Sequence, residues 1–567
     1  MAEKKRIPIG IENYKEMLDK NYYYADKTLL IKELIDAGTK VTLFMRPRRF
    51  GKTLTLNMLK TFFECEWDRN GNRIDNSRYF KGKAIDRTDA SYMEYQGKYP
   101  VIHLSLKSAK QPDFEMAYRS LLDEIAKEYE RHRYVLTGEA LSESNKKRYQ
   151  LLMDQQGEAV DNAKALEFLS ECLSVYHGER TIILIDEYDV PLENAYFCGF
   201  YTKMIDFIRS LFESALKTND HLEFAVITGC LRISKESIFT GLNNLKIVSV
   251  LNKDYAEYFG FTETETKEIL YAYGIEEKFH EVKKWYNGYL FGQTNVYNPW
   301  SVINYVETAV LDPEAFPKPY WSNTSSNHIV RELVERSTAE VKQEIEELIK
   351  GGSIERPVHE DITYEDIYKN QDNLWNFLFF TGYLKAEEQR FEIDTIYLKM
   401  SIPNEEIRYI YRNTIQEWFR EQIEHADKEP LYQALLTGNC EKMAAILRRQ
   451  LMESISYYDN LESFYHGYLL GLLSNIPDYI VRSNKEAGNG RPDIQIVPFE
   501  LDQAAYIIEI KKTDRYEQME EKCKNAIEQI KRQQYGEKLK IEGYQTIYGY
   551  GICFCKKNCM IKMMKID

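Results

Sequence analysis

Two groups of residues have the types and spacing to do chemistry on phosphates. Arg46-Pro47-Arg48-Arg49-Phe50-Gly51-Lys52-Thr53 follows the apolar run VTLFM and precedes LTLNMLKTFF, a good helix. A loop at a helix start offers an anion unpaired backbone N–H groups and the positive end of the helix dipole. Gly51 lets the backbone approach closely, Lys52 can reach terminal phosphates, and the Thr53 hydroxyl can ligate Mg²⁺. The usual Gly-x4-Gly-Lys-Ser/Thr loop has glycine where this chain has Arg46. Downstream, TIILI brings Asp186 and Glu187 to what reads as a strand tip, where ligands of open α/β sheets bind. Asp186 can hold Mg²⁺ through water and Glu187 can polarise an attacking water. Another run ends in Thr228-Gly229, with Arg232 just after. These two side chains either sense a terminal phosphate and stabilise transition-state charge, or end a strand and cap a helix.

The second group lies near the C-terminus. Asp493 precedes IQIVPF, and the run AAYIIEIKK presents Glu509 and Lys511 two positions apart, on one face of a strand. If Asp493 starts a neighbouring strand, two carboxylates and an ammonium converge. Such a set suits one or two Mg²⁺ or Mn²⁺ ions at a phosphodiester, with Lys511 orienting or activating water.

The elements that must position these residues read as α/β. VTLFM, VIHLSL, TIILID and LEFAVITG are compact, mostly apolar, β-rich runs separated by helical stretches, as in a parallel doubly wound sheet. His103 and Ser105, on the second of these runs, read as core or sheet-tip residues. The spacing predicts three regions: an ATPase-like domain over 1–235, a helical lid or winged-helix-like region over 236–389, and a second α/β domain over 390–567. In the middle region DNLWNFLFFTGYLK reads as a helix running into a strand. The length of 567 residues fits this division, since one core stops growing at roughly 250–300 residues.

IPIGIENYKEM, YYYADKTLLIKEL, RPRRFGKTLTLNML, LIDEYDVPL, VITGCLRISKESIF and YNGYLFG…VYNPWSV resemble, in order, the AAA-ATPase-like family of bacterial proteins. That family's loop reads RPRRFGKT or RPRRFGKS, so Arg46 fits its pattern. The resemblance implies nucleotide binding by Arg46 to Thr53, with Asp186 and Glu187 in the roles given above. ESFYHGYLLGLL, GRPDIQI, AYIIEIKK and KNAIEQIKRQQY resemble the PD-(D/E)XK nuclease superfamily, which has a restriction-endonuclease-like α/β fold. By that pattern Asp493, Glu509 and Lys511 form the core, Glu462 adds a metal ligand and Gln529 braces the site.

Composition narrows the remaining choices. Hydrophobic residues are 44% and charged residues 29%, ordinary for a globular chain. No apolar run reaches the ~18 residues of a membrane span, and the N-terminus lacks the apolar core of a secretory signal. The nine scattered cysteines point to a reducing cytoplasm. Cys553, Cys555 and Cys559 lack paired zinc spacing, and His466 reads as a helix-packing residue. A net charge of −14 argues against coating nucleic acid, but from Ala505 onward 13 basic residues face 9 acidic ones. The expectation is a cytoplasmic, Mg²⁺-dependent ATPase joined to a metal-dependent nuclease acting on nucleic acid, DNA before RNA, and gated by ATP. Self-association is left open. The alternative is a nucleotide-operated switch or scaffold whose nuclease fold only docks.

Overall fold

The four β-rich runs of the N-terminal region, with a short fifth strand, form a five-stranded sheet: β1 (Val41–Met45), β2 (Val101–Ser105), β3 (Thr181–Asp186), β4 (Leu222–Gly229) and β5 (Leu245–Val248). The computed structural model describes residues 5–68, 71–137, 139–231, 238–239, 243–323, 338–359, 364, 367, 369–414, 427–453, 462–483 and 490–566. They fall into two compact units, one drawn from 1–324 and 353–409 and the other from 325–352 and 410–567.

In the first unit all five strands are parallel, in the order β2-β3-β4-β1-β5. Every residue of β1 and β3 is buried, as a sheet with helices on both faces requires. Met45 pairs with Gly229 and Ser105 with Asp186, so the C-terminal tips of β1 to β4 line one edge. The chain leaves β1 through the phosphate-loop sequence and enters the helix Lys52–Phe63.

Further along, the helices Glu263–Tyr273, Phe279–Tyr286 and Pro299–Leu311 pack around Tyr286, Tyr297 and Tyr305. A hairpin of β6 (Tyr289–Phe291) and β7 (Thr294–Val296) lies between the last two. The helix Gln371–Phe380 runs into a three-stranded antiparallel sheet of β8 (Ile354–Val358), β9 (Lys385–Glu392) and β10 (Thr395–Ser401). The β9–β10 hairpin thus pairs with β8 and not with the C-terminal sheet.

The second unit is a mixed five-stranded sheet in chain order: β11 (Tyr479–Ser483), β12 (Ile494–Pro498), β13 (Ala505–Lys512), β14 (Ile547–Cys555) and β15 (Asn558–Ile566). Only the β13–β14 pair is parallel. Alternation along β13 divides its faces. Ile508 and Ile510 join a core with Tyr465 and Leu469 of the helix Glu462–Leu473, where Tyr465 stacks on Phe554 at 4.2 Å. The helix Met519–Arg532 lies over the other face. It approaches so closely that a Cβ on Gly551 would sit 2.4 Å from the Cys523 carbonyl oxygen.

Candidate active sites

Gly51 caps the first helix of the phosphate loop at φ 83°. A Cβ there would meet nothing within 4 Å, so the left-handed backbone selects glycine, not crowding. Lys52 is buried, and its ammonium donates to the carbonyls of Arg46 and Pro47, each at 2.9 Å. It also lies 3.6 Å from Cys230 Sγ, whose thiol burial pushes up to about 11. By bridging to the loop's start, Lys52 holds the loop as an arc.

The three arginines take separate roles. Arg46 is turned into the core, donating to the Met45 and Val248 carbonyls at 3.0 and 3.1 Å. Its guanidinium lies 5.4 and 4.9 Å from the ring centres of Phe259 and Phe291, and burial lowers its pKa to about 9. Arg48 pairs with Glu193. Arg49 adopts φ 70° and stacks over Trp300 at 4.4 Å, a cation–π contact that offsets a backbone few side chains adopt. Phe50 packs against Tyr289 at 4.9 Å, and Pro47 lies against Gly382.

Thr53, Asp186 and Thr228 meet as expected from strand tips. The Thr53 hydroxyl donates to Asp186 Oδ2 at 2.7 Å and the Thr228 hydroxyl to Oδ1 at 2.6 Å, with Asp186 fully buried. Glu187 follows at φ 53°, and its N–H donates to the Thr228 hydroxyl at 3.3 Å. Burial raises the Glu187 carboxyl above the usual range, against the pull of Lys52 and Lys107. A proton acceptor poised nearer neutrality suits general-base work on water. Arg232 lies outside the described residues. His103 is a partly buried sheet residue, its imidazole lowered to about 4 by burial.

Two neighbours were not legible as site residues. The Asp189 carboxylate accepts the Cys230 and Leu231 N–H groups at 2.7 and 3.1 Å, fixing the chain as it leaves β4. Lys107, just after β2, donates to the Thr53 hydroxyl at 3.0 Å and lies 3.9 Å from Asp186 Oδ2. Its only sequence signal is its place at the end of a strand.

In the second unit Ile494 pairs with Ile508, which sets Asp493 opposite Glu509. Asp493 Oδ2 accepts the Ile510 N–H at 2.8 Å. The Lys511 ammonium donates to Glu509 Oε1 at 2.9 Å, and the Gln529 amide donates to the same oxygen. Glu509 Oε2 is buried without a hydrogen-bond partner among the described residues. Burial, reinforced by Asp493, raises this carboxyl to about 7. An orphaned carboxylate oxygen beside a second carboxylate is what a hard divalent cation fits. His466 Nε2 lies 2.9 Å from the Asp493 carbonyl and 3.0 Å from the Ser483 hydroxyl, so it bears on the site's backbone. Glu462 opens the helix Glu462–Leu473. Cys553 and Cys555 are buried with Cys523 beside Met519, and no group of three or more His, Cys, Asp or Glu side chains placed to hold a metal occurs among the described residues. Among those residues, no helix is long and apolar enough to cross a membrane.

Comparisons with known proteins bear on both units of the chain. The chain is 29% identical over 336 residues to an uncharacterized protein in the vnfD 5′ region of Azotobacter chroococcum mcd 1, covering 58% of this chain and 56% of that protein. It therefore spans just over half the length of this relative. Residues 8–239 match the family model described as Predicted AAA-ATPase, and residues 460–564 match that of the PD-(D/E)XK nuclease superfamily. The chain joins an AAA-ATPase-like domain to a PD-(D/E)XK nuclease superfamily domain.

Proposed function

We propose that this protein binds and hydrolyses ATP with Mg²⁺ in its first unit and cleaves nucleic acid with Mg²⁺ or Mn²⁺ in its second, ATP gating the cleavage. The observation that carries the reading is that each unit has a full set of donors: Lys52, Thr53, Asp186 and Glu187 in one, Asp493, Glu509 and Lys511 in the other. Lys52 and the N–H groups at the start of the helix Lys52–Phe63 would grip phosphates. Thr53 and Asp186 would hold the metal, and Glu187 would accept a proton from water.

In the second unit Asp493 and Glu509 would hold a divalent metal, which supplies Lewis-acid charge at a phosphodiester. Lys511 would orient the attacking water, and Gln529 holds Glu509 in place. DNA is the preferred substrate of this reading and the cytoplasm its compartment.

The test is a panel of labelled DNA and RNA substrates incubated with the purified protein and Mg²⁺ or Mn²⁺. Metal-dependent cleavage abolished by Asp493→Ala is expected. Binding of nucleic acid without cleavage under any metal would replace the nuclease with a docking module.

A further inference from the structure

Lys107 belongs to neither motif, yet it reaches the centre of the first site. Ser105 pairs with Asp186, and the Leu106 N–H donates to the Asp186 carbonyl at 3.1 Å. The short helix Lys107–Ala109 therefore starts beside the strand tip that carries the two carboxylates. Lys107 Nζ lies 3.0 Å from Thr53 Oγ1, 3.9 Å from Asp186 Oδ2 and 3.3 Å from each carboxylate oxygen of Glu12. The side chain is 36% exposed and Glu12 is 57% exposed, so both can move.

The Thr53 hydroxyl already donates to Asp186 and accepts from Lys107. A divalent cation on the same two oxygens would stand within roughly 4 Å of the ammonium, where like charges repel appreciably even at a hydrated site. We propose that Lys107 is a built-in cation of the nucleotide site that competes with the divalent metal for Thr53 and Asp186 and, when displaced, is held by Glu12. This sets how much metal the site requires, and it leaves positive charge beside the phosphates at low metal. The inference rests on the nucleotide-binding reading above. It makes Lys107 a positioning residue and gives Glu12, in the N-terminal IENYKEM stretch, a part in the site.

The experiment measures binding of a fluorescently labelled ATP analogue to the full chain by anisotropy, across a Mg²⁺ titration at constant ionic strength and in EDTA. Lys107→Met should lower the half-saturating Mg²⁺ concentration about ten-fold and weaken binding in EDTA by a similar factor, the effect of removing one positive charge about 4 Å away. Lys107→Arg keeps the charge and should stay close to wild type. Glu12→Gln, at an exposed position, removes the alternative partner and should raise the half-saturating Mg²⁺ several-fold. This second variant decides the matter if Lys107→Met fails to fold in a thermal melt. A Mg²⁺ curve shared by wild type and the folded variants overturns the competition. Absence of any Lys52-dependent binding by the wild type would instead remove the nucleotide site itself.

Discussion

The Thr53 hydroxyl and the Asp186 carboxylate, 133 positions apart in sequence, are joined by a 2.7 Å hydrogen bond. The last residue of the phosphate loop and the acidic tip of β3 therefore act as one unit. Groups that serve one function together lose it together. Thr53→Ala and Asp186→Ala should each lower Mg²⁺-stimulated ATP turnover about 10²-fold, with the double variant little worse than either. Steady-state phosphate release by the three variants checks this, and fully additive losses would show two independent roles.

Lys52 and Glu187 should separate binding from hydrolysis. Lys52→Ala removes both the ammonium proposed to grip phosphate and the bridge to the Arg46 and Pro47 carbonyls, so ATP binding should be lost or severely weakened. Glu187→Gln keeps the shape but cannot accept a proton. It should bind ATP normally and turn over about 10²–10⁴-fold more slowly. Calorimetric titration alongside turnover measures both, and wild-type turnover in each variant would remove the assignment.

Glu509 gives the second unit a pH-dependent stability. Its carboxyl is raised to about 7 by burial and by Asp493, with Lys511 and Gln529 pulling on one oxygen. An exposed glutamate titrates near ~4.3, so the folded state favours the proton. That contribution is fully present below about pH 4 and is lost as pH rises through about 7. With metal withheld, the melting temperature of this unit should fall between about pH 5 and pH 8, and Glu509→Gln should flatten the slope. Mg²⁺ should stabilise at the higher pH and far less at the lower, because a protonated carboxyl is a poor ligand. Equal Mg²⁺ shifts at both pH values would count against Glu509 as a metal ligand.

Close packing of the helix Met519–Arg532 on β14 yields a stability prediction. A methyl group at Gly551 would lie 2.4 Å from the Cys523 carbonyl and 2.9 Å from Ile527. Backbone on one side and a packed side chain on the other leave little room to yield. Gly551→Ala should cost about 1–3 kcal/mol of stability and loosen the helix that carries Gln529. Chemical denaturation followed by circular dichroism would measure the loss; an unchanged midpoint would mean that the helix can lift freely.

Strands β1 to β4 were legible because each is a mostly apolar, β-rich run bounded by polar residues. β5 and β11 were not. LKIV is short and half exposed at the sheet edge, and YIVRS is also an edge strand carrying Arg482. Local spacing sufficed for Lys52, Glu509 and Lys511, whose partners are near in sequence or set by strand alternation. It could not reveal that Arg46 lies between Phe259 and Phe291, more than 200 positions away. Nor could it place Lys107 and Glu12 at the loop, since only the sheet order brings the end of β2 beside the tip of β3.

The central claim, that ATP gates a nuclease carried on the same chain, is tested most directly by cleavage of a labelled linear DNA with Mg²⁺, with and without ATP. The account predicts cleavage that changes about 5-fold or more on adding ATP, as a coupling of ordinary size would give. Asp493→Ala should abolish cleavage, and Lys52→Ala should keep a basal rate that no longer responds to ATP. A cleavage rate that is the same with and without ATP, and the same in Lys52→Ala, would contradict it.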